Sequence, residues 1–93
     1  MKIQDIKTIQ IKKLIGAKSV RFSWHNKNKT GGNFGINVIG VNGNDYAITG
    51  RYNITGTVRN LRFGFLLGIS IPMNVKTVDE MLEFITKTIK TSE

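Results

Sequence analysis

The sequence predicts an α+β two-layer sandwich, in the order α-β-β-β-β-α, with a four-stranded antiparallel sheet and two helices packed on one of its faces. Three observations carry that expectation. Residues 77–91 open with Thr77 and Glu80 in a capping-box spacing and continue with apolar residues at helical intervals. Residues 19–69 alternate oily and polar side chains over four runs bounded by Gly, Asn or Thr. In each run the oily set takes one face, as in an antiparallel sheet covered on one side only.

The first helix is expected over residues 1–15. Ile3, Ile6, Ile11, Leu14 and Ile15 fall on one broad side at about 100° per residue, with Ile9 off it. Gly16 supplies a left-handed stop. The competing reading is a strand over residues 9–14, because Ile9 and Ile11 alternate with polar neighbours. The first strand is expected at 19–25, with Val20, Phe22 and Trp24 inward and Ser19, Arg21, Ser23 and His25 outward. Residues 26–33 read as a loop. The second strand, 34–41, has Phe34, Ile36 and Val38 inward, and the third, 45–54, has Tyr46, Ile48, Tyr52 and Ile54 inward.

Loop length sets the expected registers. A two-residue Asn42-Gly43 turn would put the oily sets of strands two and three on opposite faces, because paired residues share a face. A three-residue loop, 42–44, pairs Val38 with Ile48 and Phe34 with Tyr52 and is preferred. The fourth strand is expected from Val58 to Ile69 or Ile71, with Leu61, Phe63, Phe65, Leu67 and Ile69 inward and Pro72 ending it. A Gly56-Thr57 turn pairs Tyr52 with Leu61 and Ile48 with Phe65, and so sets Arg51 against Arg62. The closing helix, 77–91, buries Val78, Met81, Leu82, Ile85 and Ile89.

The 93 residues read as one domain, 1–93, with 40% hydrophobic residues and no cysteine. The absence of cysteine excludes disulfides and thiolate metal sites and fits a reducing compartment. No apolar run reaches the roughly 20 residues of a membrane span, and the N-terminus mixes Lys, Gln and Asp with Ile, unlike a signal peptide. A cytoplasmic protein without a membrane role is the expectation. Net charge is +8, unevenly spread. Residues 77–93 hold two lysines against four carboxylates, and the other 76 residues hold twelve Lys and Arg against two Asp. Such a field favours polyanions or acidic protein surfaces.

The candidate binding surface is the polar sheet face. Its expected members are Arg21, His25, Asn37, Arg51, Asn53, Asn60 and Arg62, with Lys27 and Lys29 on the adjoining loop. Guanidinium forks suit phosphate, and backbone amides around Gly31-Gly32 offer a further phosphate cradle. The aromatic residues belong by parity to the oily face, so contacts to nucleic acid should fall on its backbone, with little sequence preference. Catalysis is not expected. His25 is the only histidine, no acid pair or metal cluster is spaced for chemistry, and no cofactor or metal is implied.

The leading expectation is therefore a small, basic, non-enzymatic protein that binds nucleic acid or a nucleic-acid-handling complex. The alternatives are a phage-encoded inhibitor of a host nuclease or defence complex, in the manner of an anti-CRISPR antagonist, and a ribonuclease toxin using His25. A homodimer is expected through Ile39, Val41 and Leu66, taken to lie on the polar side, or through a sheet edge.

Overall fold

The computed structural model describes residues 3–6, 8–41 and 43–91. A single 3-10 turn, Ile3–Asp5, precedes helix α1 (Thr8–Ile15). Five strands follow: β1 (Ser19–Asn28), β2 (Gly31–Val41), β3 (Asn44–Asn53), β4 (Val58–Phe65) and β5 (Ser70–Met73). Helix α2 (Val78–Thr91) closes the chain. The strands form one antiparallel meander in sequence order.

The α+β class and the two helices agree with the sequence, but the sheet has five strands instead of four. The expected long fourth strand reverses after Phe65. Gly68 N donates to Phe65 O at 3.2 Å, Phe65 N donates to Ile69 O at 3.3 Å, and Leu61, Phe63 and Gly64 then pair with Met73, Ile71 and Ser70. Gly64 permits this return, because a Cβ there would run into the Ile69 carbonyl and Ser70. Phe65, Leu67 and Ile69 are consequently not core: they are 55%, 98% and 78% exposed. Pro72 lies within β5, where an edge strand tolerates its missing N–H.

The core lies between the sheet and the helices. It joins Ile3, Ile6 and Ile11 to Phe34, Ile36, Val38, Val41, Tyr46, Ile48, Tyr52, Val58, Leu61 and Phe63, with Val78, Met81 and Ile85 of α2 closing over them. α1 is a helix and not the competing strand. It ends at Gly16, which has φ 68° and donates to Lys12 O at 2.9 Å. The expected helix start at residues 1 and 2 lies outside the described residues. At α2, Glu80 N donates to Thr77 Oγ1 at 3.1 Å and Lys76 N donates to Glu80 Oε2 at 3.4 Å, so the capping pair forms. Trp24 takes the expected face, stacked on Phe22 and edge-on to Tyr52, but 38% of it stays exposed. Ile54, expected inward, is 59% exposed in the β3–β4 loop.

The β1–β2 register sets Arg21 opposite Asn37, Ser23 opposite Gly35 and His25 opposite Asn33. The strands, however, extend through the expected 26–33 loop to a short turn between Asn28 and Gly31. The β2–β3 register differs from the expectation. Val41 pairs with Asn44 across a two-residue connection, whose Asn42 lies outside the described residues, and Val38 pairs with Tyr46. One extra residue at Ile39-Gly40 reconciles the oily sets. Gly40 takes φ 74°, and its N–H donates to Asp45 Oδ1 at 3.0 Å. That bulge also turns Val41 into the core, so it is not on the polar side as expected.

The Tyr52 hydroxyl is buried without a hydrogen-bond partner among the described residues. Removing an unsatisfied buried hydroxyl relieves a desolvation penalty of about 1–3 kcal/mol. Tyr52→Phe should therefore leave the urea midpoint unchanged or raise it, and a loss above ~1 kcal/mol would mean that the hydroxyl has a partner in solution.

Candidate functional site

The sheet face turned away from the helices carries all four arginines of the chain. Three rows cross it. The first is His25, Asn33, Arg51, Arg59; the second is Ser23, Gly35, Thr49, Arg62, Pro72; the third is Arg21, Asn37, Ala47, Gly64, Ser70. The described lysines lie on the helices, the connections and the turn end of β1. The planar forks are thus concentrated on one face, and of the described lysines only Lys76 lines the groove over it.

Two local features phase the arginines. The β3–β4 loop is longer than expected. Asn53 Oδ1 accepts from Thr57 N at 2.8 Å and from Thr55 Oγ1 at 2.6 Å, while Asn53 N donates to Thr57 O at 3.1 Å. Tyr52 therefore pairs with Val58, not with Leu61. Asn60 then adopts φ 52° and adds one residue to β4 opposite Gly50. Before the bulge the even-numbered Val58 points inward; after it the odd-numbered Leu61 and Phe63 do. The outward positions switch likewise, from Arg59 to Arg62. In a regular strand those two side chains, three residues apart, would point to opposite faces.

The expected pairing of Arg51 with Arg62 is corrected by this register. Arg51 stands opposite Arg59, and Arg62 stands opposite Thr49 one row away. Like charges directly opposite destabilise an antiparallel pair. Neither Arg51, Arg59 nor Arg62 has a carboxylate partner among the described residues.

A shallow groove of about 1050 Å³ lies over these rows, and its lining includes His25, Asn33, Arg51, Arg59, Asn60, Arg62 and Lys76 but no Asp or Glu. Its floor includes Gly50, where an added Cβ would come within 2.9 Å of the Phe34 ring. A smaller hollow of about 520 Å³ adjoins it and shares Arg51 and Arg59.

Of the residues expected from sequence, His25, Arg51, Asn60 and Arg62 meet in the main groove. Asn53 lines the smaller hollow, with its side chain already engaged in the loop. Arg21 and Asn37 are exposed on the third row and line neither hollow. Lys27 and Lys29 sit at the hairpin end, also outside both. The expected phosphate cradle there is pre-empted, since Asn28 Oδ1 accepts from Thr30 N at 2.8 Å and Gly31 N at 3.1 Å. Sequence reasoning missed Arg59 and Lys76. Arg59 had a signal: the inward parity changes between Val58 and Leu61, which a strand accommodates only with a bulge.

Chemically, the groove offers forked and point cations, amide side chains and one imidazole. Among the described residues no group of three or more His, Asp or Glu is placed to hold a metal ion, and no helix is long and apolar enough to cross a membrane. Comparison with protein-family profiles, with curated proteins and with solved structures finds no match to this chain.

Because the left-handed conformation costs a non-Gly residue about 1–2 kcal/mol and Asn visits it more readily than most, Asn60→Val should destabilise the fold by about that amount while Asn60→Gly is tolerated. Paired denaturation curves for the two variants check this. Equal stability would mean that β4 lacks the bulge.

Proposed function

We propose that this chain is a non-enzymatic binding protein that holds the phosphate backbone of a nucleic acid on the open face of its sheet. The observation that carries the reading is Arg51 opposite Arg59, with Arg62, Lys76 and His25 lining the same groove and no carboxylate beside them. An arrangement that repels itself when empty is relieved by a polyanion, and guanidinium forks bind phosphate oxygens bidentately. The face carries no aromatic platform on which bases could stack, so binding is to backbone and tolerant of sequence. A nucleoprotein or acidic protein surface that presents phosphate-like charge would engage the same groove.

Charge reversal separates a site from diffuse attraction. Arg51→Glu with Arg59→Glu should weaken binding to a mixed-sequence oligonucleotide at least about tenfold and lower the salt slope by roughly two units. Lys12→Glu with Lys13→Glu changes net charge equally on exposed α1 positions and should do much less. Equal losses would mean that no site exists on the sheet. Failure of the wild-type chain to bind DNA or RNA at physiological salt would overturn the nucleic-acid reading.

A second reading rests on His25, which shares a row with Asn33, Arg51 and Arg59. An imidazole beside phosphate-binding arginines is the minimum equipment for general acid–base cleavage of RNA. If the chain cleaves RNA, His25→Ala should reduce the rate at least about a hundredfold; RNA left intact by the wild-type chain excludes this reading.

A further inference from the structure

A second surface lies on the opposite side of β4 and β5. The helices cover the oily sheet face as far as Phe63, whose ring meets Phe84 of α2 at 5.4 Å. Beyond it the same face stays bare. Phe65, Leu67, Ile69 and Ile71 are 55%, 98%, 78% and 60% exposed. Phe65 and Ile69 are joined across the hairpin by a backbone hydrogen bond of 3.3 Å, and Ile71 follows two residues along β5. With residues of roughly 150–200 Å² each, these exposures sum to on the order of 500 Å² of surface over the β4–β5 hairpin. That is more than half of the ~800 Å² each partner buries in a standard interface.

We propose that this strip is where two copies of the chain associate about a two-fold axis. Charge selects the occupant. Residues 63–75 contain no charged side chain in a chain of net charge +8, so two copies meet with least repulsion here. A two-fold contact sets each strip against its own equivalent, which suits a surface that is oily throughout. An anionic lipid surface fits less well. Such surfaces attract apolar segments rimmed by cations, whereas Arg62 points from the opposite sheet face. Asp45 also lies beside the hairpin tip, where its carbonyl accepts from Leu66 N at 3.0 Å.

The contact is made by side chains and not by adding strands. The Phe65–Ile69 bond fixes the phase of β5, so amides of odd-numbered residues face β4 and even-numbered positions face outward. Pro72 occupies an outward position and removes a donor from the free edge. Of the interface residues expected from sequence, Val41 is buried in the core and Leu66 stays exposed beside the strip.

Sedimentation equilibrium tests the proposal. The wild-type chain should approach twice its 10.4 kDa mass at millimolar concentration. Added salt should strengthen the association by screening like charge, whereas it weakens binding to any polyanion. Leu67→Asp should weaken self-association at least about tenfold, with an unchanged melting temperature at dilutions where both chains are monomeric, because that side chain buries nothing in the monomer. Arg59→Glu, on the other face, should leave the dimer in place. A wild-type chain that stays monomeric overturns the proposal, as does a Leu67→Asp dimer of unchanged strength. Monomeric capture by phosphatidylserine vesicles that Leu67→Asp abolishes would assign the strip to a lipid surface instead.

Discussion

A β-strand repeats every two residues, and this chain interrupts that period by one residue in each of β1, β2 and β4. The interruption in β4 organises the rest. Without it Val58 and Leu61 could not both face the core, and leaving either exposed forfeits roughly 1.5–3 kcal/mol of burial. Holding Asn60 in the left-handed region costs at most about 1–2 kcal/mol. Burial therefore sets the register, and the arginines follow. Arg59 before the bulge and Arg62 after it emerge on one face beside Arg51. A packing requirement on one side of the sheet thus creates the electrostatic character of the other.

Small residues let the sheet carry both surfaces. Gly50 receives the ring of Phe34 on the covered face and faces the bulge across the ladder. Gly64 admits the return of β5, which adds Pro72 beside Arg62 on the open face and Ile71 beside Phe63 on the other. The same hairpin therefore borders the cationic groove on one side and forms the bare apolar strip on the other. If two copies associate through the strip and a polyanion binds the groove, the two contacts use opposite faces of the hairpin.

The parts legible in the sequence were those governed by local chemistry. Thr77 and Glu80 announce α2, Gly16 ends α1, and steady alternation on both strands puts Ser23 and Gly35 on the same sheet face. What escaped depended on counting across a discontinuity. A period of two is blind to strand reversal. Leu61, Phe63 and Phe65 continue into Ile69, Ile71 and Met73 at the same parity although the chain turns back between them. A two-residue connection after Val41 mismatches the oily faces of regular strands, and the bulge at Gly40 supplies the missing residue. Arg59 is likewise hidden by a regular count, which turns it toward the core. In both places the clue was an apolar parity switch, from Val38 to Val41 and from Val58 to Leu61. Each has a residue of positive φ between its members.

The β4 bulge gathers Arg51, Arg59 and Arg62 along one groove, which we propose binds anions. The most direct measurement is an NMR titration of the arginine Nε–Hε signals with a mixed-sequence oligonucleotide at physiological salt. Arg51, Arg59 and Arg62 should shift together along one saturation curve, while Arg21, on the outer row, should shift less. Equal small shifts at all four arginines, or shifts confined to Arg21, would contradict it.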